Sequence, residues 1–342
     1  MTSWQRFIAL WTHRYKKYSH IGRKFILAYR DFLRFFFIRH LQGKEVVAII
    51  LSEQFGDIVA CEPVSRRVRA LHPKAHIIWM VRKPYKELVE HNPHLDGYLL
   101  EYCVSHRIQL LRLGAFDKVY NLHLSHRNCH YCGGDHVNPI ADRLDITYHN
   151  YLHHGDLLYT FSQAAGLPAM DEEPKVYIPE SARQKIAALN LESPIVLHCK
   201  PSYPERDWIQ DNWDKLVKWL LETYPYPIVE VGLESVVRVK DPRIVNLCGQ
   251  LSILETAEVI RISKLFIGVE SGPAHLANAV GAEAVILLGK TGVFDEFNVY
   301  SGRFKRGEDV AILSQPGLYC ATIPLDWVRQ ATEEKLNQPV SK

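Results

Sequence analysis

The stretch Phe266-Ile267-Gly268-Val269-Glu270-Ser271-Gly272-Pro273-Ala274-His275-Leu276-Ala277 passes from an apolar run through a polar turn into a helical pattern. The apolar part, Leu265–Val269, reads as a buried parallel strand. Polar groups follow where the strand reaches the carboxyl edge of its sheet, the edge at which open α/β sheets bind ligands. Ser271 is suited to cap the next helix, and Pro273 is tolerated in a first helical turn. Gly272 permits close approach of a ligand. The amides of such a turn face a phosphate or another anion. Glu270 can accept from sugar hydroxyls, and His275 can donate to a phosphate or sugar oxygen. An ordinary capped helix with a satisfied histidine accounts for the same residues.

Working outward, the strand belongs to a series. Ile195–His198, Ile228–Val231, Ile244–Leu247 and Ala284–Leu288 read as strands, and Trp213, Leu216, Val217 and Leu220 form one face of a helix. An earlier series reads the same way: Val46–Leu51, Ala75–Val81, Tyr98–Tyr102 and Lys118–Leu122 as strands, with Pro84–Glu90 helical. Alternating strands and helices imply parallel sheets covered on both faces. Residues 123–160, rich in His, Tyr, Asn and Asp, interrupt the rhythm as an elaborated loop region. Pro168–Pro179 reads as the linker. The expected architecture is α/β, two Rossmann-like domains facing a cleft, at 45–175 and 190–320, with a helical arm at 1–44 and a terminal helix and tail at 321–342.

The arm is the basic part of the chain. Residues 1–44 hold ten Lys or Arg and one Asp, formally +9, whereas the remainder has 31 basic and 37 acidic side chains, formally −6. The net +3 therefore does not argue for a nucleic-acid-binding core. Trp4, Phe7, Trp11, Tyr15 and Tyr18, then Phe25, Tyr29, Phe32 and Phe36, recur at helical spacing among the cations, with an interruption expected near Gly22. Such a segment suits an anionic membrane interface. It also suits a helical pair packed on its own domain. With 342 residues and 47% hydrophobic content the chain can build full-sized cores. It shows neither a membrane-spanning apolar run nor a signal-peptide pattern. Seven scattered cysteines fit a reducing compartment. The expected place is the cytoplasm, with the arm adding a peripheral position on the inner face of the cytoplasmic membrane.

Three further strand-to-loop transitions carry candidate chemistry. In Leu51-Ser52-Glu53-Gln54-Phe55-Gly56-Asp57-Ile58, Asp57 sits at or just inside a helix, where a carboxylate can reach into a cleft or interact with helix amides. Glu53 is the next candidate base. In His198-Cys199-Lys200-Pro201-Ser202-Tyr203-Pro204-Glu205-Arg206-Asp207-Trp208, Lys200 and Arg206 can neutralise a diphosphate, or be solvated loop cations. Glu234, beyond Ile228–Val231, can take the hydroxyls of a ribose. No Gly-x-Gly-x-x-Gly follows either first strand, which weighs against a dinucleotide enzyme.

Together these segments resemble glycosyltransferase family 9, the heptosyltransferases of lipopolysaccharide synthesis and their relatives. The resemblance rests on Phe55-Gly56-Asp57-Ile58-Val59 followed by Pro63, on His72-Pro73-Lys74-Ala75 and Asn92-Pro93-His94-Leu95-Asp96, and on Arg206-Asp207-Trp208. The stretch Glu270–Ala277, close to an Asp-Ser-Gly-x-x-His-Leu-Ala signature, is the most specific part. It implies a GT-B fold with the acceptor on the first domain and a nucleotide sugar, typically ADP-heptose, on the second. It also implies inversion without a required metal. By the same match Asp57 is the general base, Lys200 and Arg206 contact phosphate, Glu234 faces the ribose and Glu270 the donor sugar. Ser271, Gly272 and His275 complete the donor site. Glu270 stands where the family has Asp, and Arg206 where Lys is usual, so another nucleotide sugar is an alternative donor. A catalytically degenerate membrane-associated scaffold is the non-enzymatic alternative.

Cys129-His130-Tyr131-Cys132-Gly133-Gly134-Asp135-His136 holds a Cys-x-x-Cys pair, with His123, His126, His149, His153 and His154 close in sequence. Zinc or iron can use such ligands. No second cysteine pair follows at regular spacing, so a polar acceptor loop is the preferred reading, with no metal site.

Overall fold

The computed structural model describes residues 2–52, 54–129 and 132–337. The chain forms two compact units. The first is Met1–Glu53, Val64–Tyr148 and Phe161–Pro168; the second is Gln54–Pro63, His149–Thr160 and Ala169–Lys342.

In the first unit, β1 (Val46–Ile50), β2 (His76–Val81), β3 (Gly97–Leu100) and β4 (Lys118–Asn121) make a parallel sheet in the order β3-β2-β1-β4. All five residues of β1 are buried, as its unbroken apolar run requires. Trp79 on β2 is buried too, and its indole donates to the Leu51 carbonyl at 2.9 Å.

In the second unit, β5 (Ile195–His198), β6 (Ile228–Glu230), β7 (Ile244–Asn246), β8 (Leu265–Val269), β9 (Ala284–Leu288) and β10 (Val310–Ser314) are again all parallel. Their order is β10-β9-β8-β5-β6-β7. Read from β7, this is the 3-2-1-4-5-6 order of a Rossmann sheet, and the first unit carries its 3-2-1-4 portion. The strand order reverses between β1 and β4 in one sheet and between β5 and β8 in the other. Ligand-binding crevices open at such switch points. Trp213, Leu216, Val217 and Leu220 on the helix Gln210–Thr223 are buried in the second core, together with Val328, Ala331 and Leu336 of the helix Leu325–Asn337. Two parallel Rossmann-type sheets flanked by helices are the GT-B architecture. Residues 169–179 carry no regular structure and belong to the second unit, where Asp171 and Glu173 pair with Lys305 and Arg306.

The arm departs from expectation. It is one continuous helix, Ser3–Gln42, with no interruption at Gly22. A Thr2–Gln5 capping box starts it, and Gly43, in the left-handed region at φ 63°, ends it. A mid-helix glycine costs about 1 kcal/mol relative to alanine, too little to break a helix anchored over its last turns. There Ala28, Phe35 and Ile38 are buried in the core against Val46, Ile78 and Leu110. Asp31, the arm's single acid, is also buried, with its carboxylate 3.1 Å from His106 Nε2. Residues 2–16, by contrast, are exposed throughout: Trp4 is 66% and Tyr15 75% accessible. Among the described residues no helix is long and apolar enough to cross a membrane.

Candidate functional site

The motif at the end of β8 and the Gly56-Asp57 turn meet within the second unit. The short helix Phe55–Ala60 docks on the helix Gly272–Val280, and glycines on both sides permit it. A Cβ at Gly56 would fall 2.7 Å from His275 Cδ2; one at Gly272 would fall 2.5 Å from Phe55 Cε1. Either distance is far inside van der Waals contact. Gly272 therefore accommodates Phe55, whereas the sequence suggests that it admits a ligand. Ser271 occupies the N-cap position, but its hydroxyl donates to the Val269 carbonyl at 3.1 Å and caps no helix amide. Its extended backbone aims the side chain back along β8.

Glu270 lies at the centre, 4% exposed. Arg206 Nη1 donates to its Oε2, and His275 Nε2 stands 3.6 Å from Oε1. Burial pushes the Glu270 carboxyl up, but Arg206 and then His275 outweigh it and hold it below the usual carboxylate range. Burial likewise opposes the Arg206 charge; Glu270, then Tyr151, Asp57 and Tyr300, more than restore it. Asp57, half-buried in the first turn of its helix, thus contributes to the field on Arg206. Arg206 Nε donates to Thr291 Oγ1 at 3.1 Å, and its guanidinium lies 5.5 Å from the Tyr203 ring centroid. The neighbouring Trp208 fixes this loop, donating to the Ile323 carbonyl at 2.8 Å and meeting Trp213 edge to face.

Tyr300 lies beside this cluster, and the sequence does not announce it. It is fully buried, its ring is 4.9 Å from that of His275, and its hydroxyl has no hydrogen-bond partner among the described residues. Burial, with the Glu270 charge second, pushes its phenol well above the ordinary value. A neutral donor beside a carboxylate–guanidinium pair is suited to a polar ligand. Thr291 is equally silent in sequence.

Two other candidates have no bond to this cluster among the described residues. Lys200 is bonded to Asp207 at 2.6 Å and is partly exposed. Glu234 is exposed on the loop after β6. The buried carboxylate there is Glu230, which accepts from Ser235 Oγ and from the amides of Val236 (2.6 Å) and Val237 (3.2 Å). It borders a cavity of about 440 Å³ also lined by Ser235, Val237, Lys240, Asp241 and Asn246. Glu230 was hidden in the sequence as the last residue of an apolar strand. Glu53 and His130 lie outside the described residues.

At the switch point of the first sheet, Ser52 donates its amide to His123 Nε2 at 3.1 Å, and its hydroxyl is 3.0 Å from the same nitrogen. The proton of a neutral His123 therefore sits on Nδ1. The His136 ring is 4.4 Å away. Burial, reinforced by Arg107, lowers both imidazoles, His136 to about 3. The remaining histidines of this region disperse: His149, His153 and His154 are exposed, and His153 lies against Phe294.

Two Rossmann-type sheets, the second with a charged cluster at its carboxyl edge, are the architecture of the GT-B class. Residues 143–295 match the model of glycosyltransferase family 9 (heptosyltransferase). No curated protein matches it in sequence. Among solved structures it is similar to ADP-heptose lipopolysaccharide heptosyltransferase II of E. coli, at 16% identity and TM-score 0.62, covering 85% of this chain and 98% of that one. A family 9 glycosyltransferase of Veillonella parvula gives 16% identity and TM-score 0.61, with 85% and 97% covered. The E. coli heptosyltransferase WaaC, solved with ADP, gives 12% and 0.58, with 85% and 99% covered.

Proposed function

We propose that this glycosyltransferase inverts the anomeric centre as it moves heptose from ADP-heptose to a hydroxyl of a glycan or lipid-linked acceptor, with Asp57 as the base. The observation that carries this reading is the glycine-permitted docking of the Asp57 helix on the helix that begins at Gly272. It brings a carboxylate into the field of Arg206, beside Glu270 and His275. The acceptor O–H proton goes to Asp57, a bond forms between that oxygen and the anomeric carbon, and the carbon–phosphate oxygen bond breaks. The electron pair leaves with the nucleoside diphosphate, whose charge Arg206 and Lys200 stabilise. Without donor, Arg206 is neutralised by Glu270. With donor bound, Glu270 turns to the sugar hydroxyls and the guanidinium to the diphosphate. Glu234, next in sequence to the cavity-lining Ser235, takes the ribose.

The exposed half of the arm supports a place on the inner face of an anionic membrane, where a lipid-linked acceptor resides. Residues 2–24 carry six Lys or Arg and no acid, among exposed Trp4, Phe7, Trp11, Tyr15 and Tyr18.

Calorimetric titration with ADP-, GDP- and UDP-sugars tests the donor. ADP-heptose should bind with the lowest Kd. Tighter binding of another nucleotide sugar would replace the donor, which the extra methylene of Glu270 relative to Asp makes the pertinent alternative. Binding of none would support the scaffold alternative.

A further inference from the structure

Three cysteines distant in sequence meet in the first unit. Cys103, Cys129 and Cys132 are all buried, and their sulfurs lie within 4.8 Å of one another. Among the described residues they are the one group of His, Cys and carboxylate side chains close enough to share an ion. None of the seven cysteines is in a disulfide. Cys103 and Cys129 have sulfurs 3.4 Å apart, well beyond a covalent bond of about 2.05 Å. Sulfurs at two corners of a zinc–thiolate tetrahedron, with bonds of about 2.3 Å, would be roughly 3.8 Å apart.

The backbone around the sulfurs is arranged for thiolates. Cys129 and Cys132 sit on a tight hairpin: the Cys129 amide donates to the Gly134 carbonyl at 2.9 Å, and the Gly133 amide to the Cys129 carbonyl at 2.8 Å. Gly133, at φ 68°, makes the turn in a conformation that favours glycine. The next amide, Gly134, then points at Cys132 Sγ, 3.4 Å away. Cys103 stands at the N-cap position of the helix Val104–Arg112, its sulfur 3.4 Å from that of Cys129. The Cys132 sulfur thus receives an N–H from the residue two positions on. A neutral thiol has little use for such a donor, whereas a metal-bound thiolate is stabilised by it. Lys17 Nζ is 3.4 Å from where a Gly133 Cβ would be, adding positive charge beside the hairpin. Apolar Ile21, Val104 and Ile108 close the rest.

We infer that Cys103, Cys129 and Cys132 bind one thiophilic divalent cation of the zinc class, tying the helix Val104–Arg112 to the hairpin beneath the arm. Three sulfurs supply three tetrahedral corners and leave the fourth for water or a further donor. Binding converts three S–H groups to thiolates and releases three protons, so affinity falls steeply with acid. The role is structural: Ile21 and Lys17 belong to the long helix, so the ion sets its footing rather than taking part in sugar transfer.

The test uses the full chain, untagged, purified under reducing conditions. Elemental analysis should find one equivalent of zinc. After chelation, titration with cobalt(II) should produce a thiolate-to-cobalt charge-transfer band saturating at one equivalent. Cys103→Ser and Cys129→Ser should each weaken binding at least tenfold, and Cys248→Ser should leave it unchanged. Should a variant fail to fold, alkylation of the wild type serves instead: added zinc should protect Cys103, Cys129 and Cys132 together and no other cysteine. Reduced protein that takes up neither ion, equal binding in the serine variants, or a Cys103–Cys129 disulfide in the freshly isolated protein would overturn the inference.

Discussion

Replacing Gly272 by Ala adds one methyl group at the contact that brings Asp57 to the charged cluster. That methyl would sit 2.5 Å from Phe55 Cε1 and 2.7 Å from Cγ. Ordinary contact begins near 3.4 Å, so the ring or its helix must retreat by about 1 Å. Overpacking of this kind costs about 1–3 kcal/mol. A shift of about 1 Å in a positioned catalytic group can lower turnover by about 10²-fold. The Phe55 ring belongs to the same short helix as Asp57, so a displacement of that helix moves the carboxylate. Labelled-sugar transfer into an acceptor extract gives turnover, and thermal melting separates misplacement from unfolding. Donor affinity should change little. In a Phe55→Ala background the added methyl has room, so Gly272→Ala should then cost less than threefold. If Gly272→Ala alone keeps wild-type turnover, or if its loss is the same with and without Phe55, the docking does not position Asp57.

Three other outcomes follow from the same geometry. Glu270→Ala should weaken intact nucleotide sugar but hardly alter free nucleotide, whereas Glu234→Ala should weaken both; calorimetry on the two variants distinguishes them. Removing residues 1–24 should abolish salt-sensitive sedimentation with anionic liposomes, and equal sedimentation of both forms would exclude the arm. His136 is held near 3 in the fold against about 6.5 when unfolded, so between those values the unfolded chain binds more protons. Its contribution is present above pH 6.5 and is lost as pH falls toward 3, and His136→Asn should reduce the slope of stability against pH by up to about 1.4 kcal/mol per unit, measured by denaturant unfolding across that range.

Strand-level organisation was legible because parallel strands buried on both faces leave unbroken apolar runs: Leu265–Val269, Ile195–His198 and Ala284–Leu288 stand where their residues place them. β10 is not legible in the sequence because Val310–Ser314 is an edge strand, buried only at its start, with no polar motif after it. Gly22 misled because glycine's local cost is small against the anchoring of Phe35 and Ile38. Residue types at the site were legible, but their partners were not. Ser271 turns back to Val269, Gly272 yields to Phe55, and Arg206 binds Glu270 across 64 positions of sequence. Tyr300 and Cys103 gain meaning only from what folding sets beside them, His275 in one case and Cys129 in the other.

The measurement closest to the central claim is the turnover of Asp57→Asn with the true acceptor, beside its donor affinity. Asparagine nearly preserves the size of the side chain and can still hydrogen-bond, but it cannot take the acceptor's proton. Turnover should fall about 10²–10⁴-fold, the range of general base catalysis, while donor Kd stays within a few-fold and the melting temperature barely moves. If the variant keeps more than about a third of wild-type turnover while chemistry limits the rate, far above what loss of a general base allows, Asp57 is not the base.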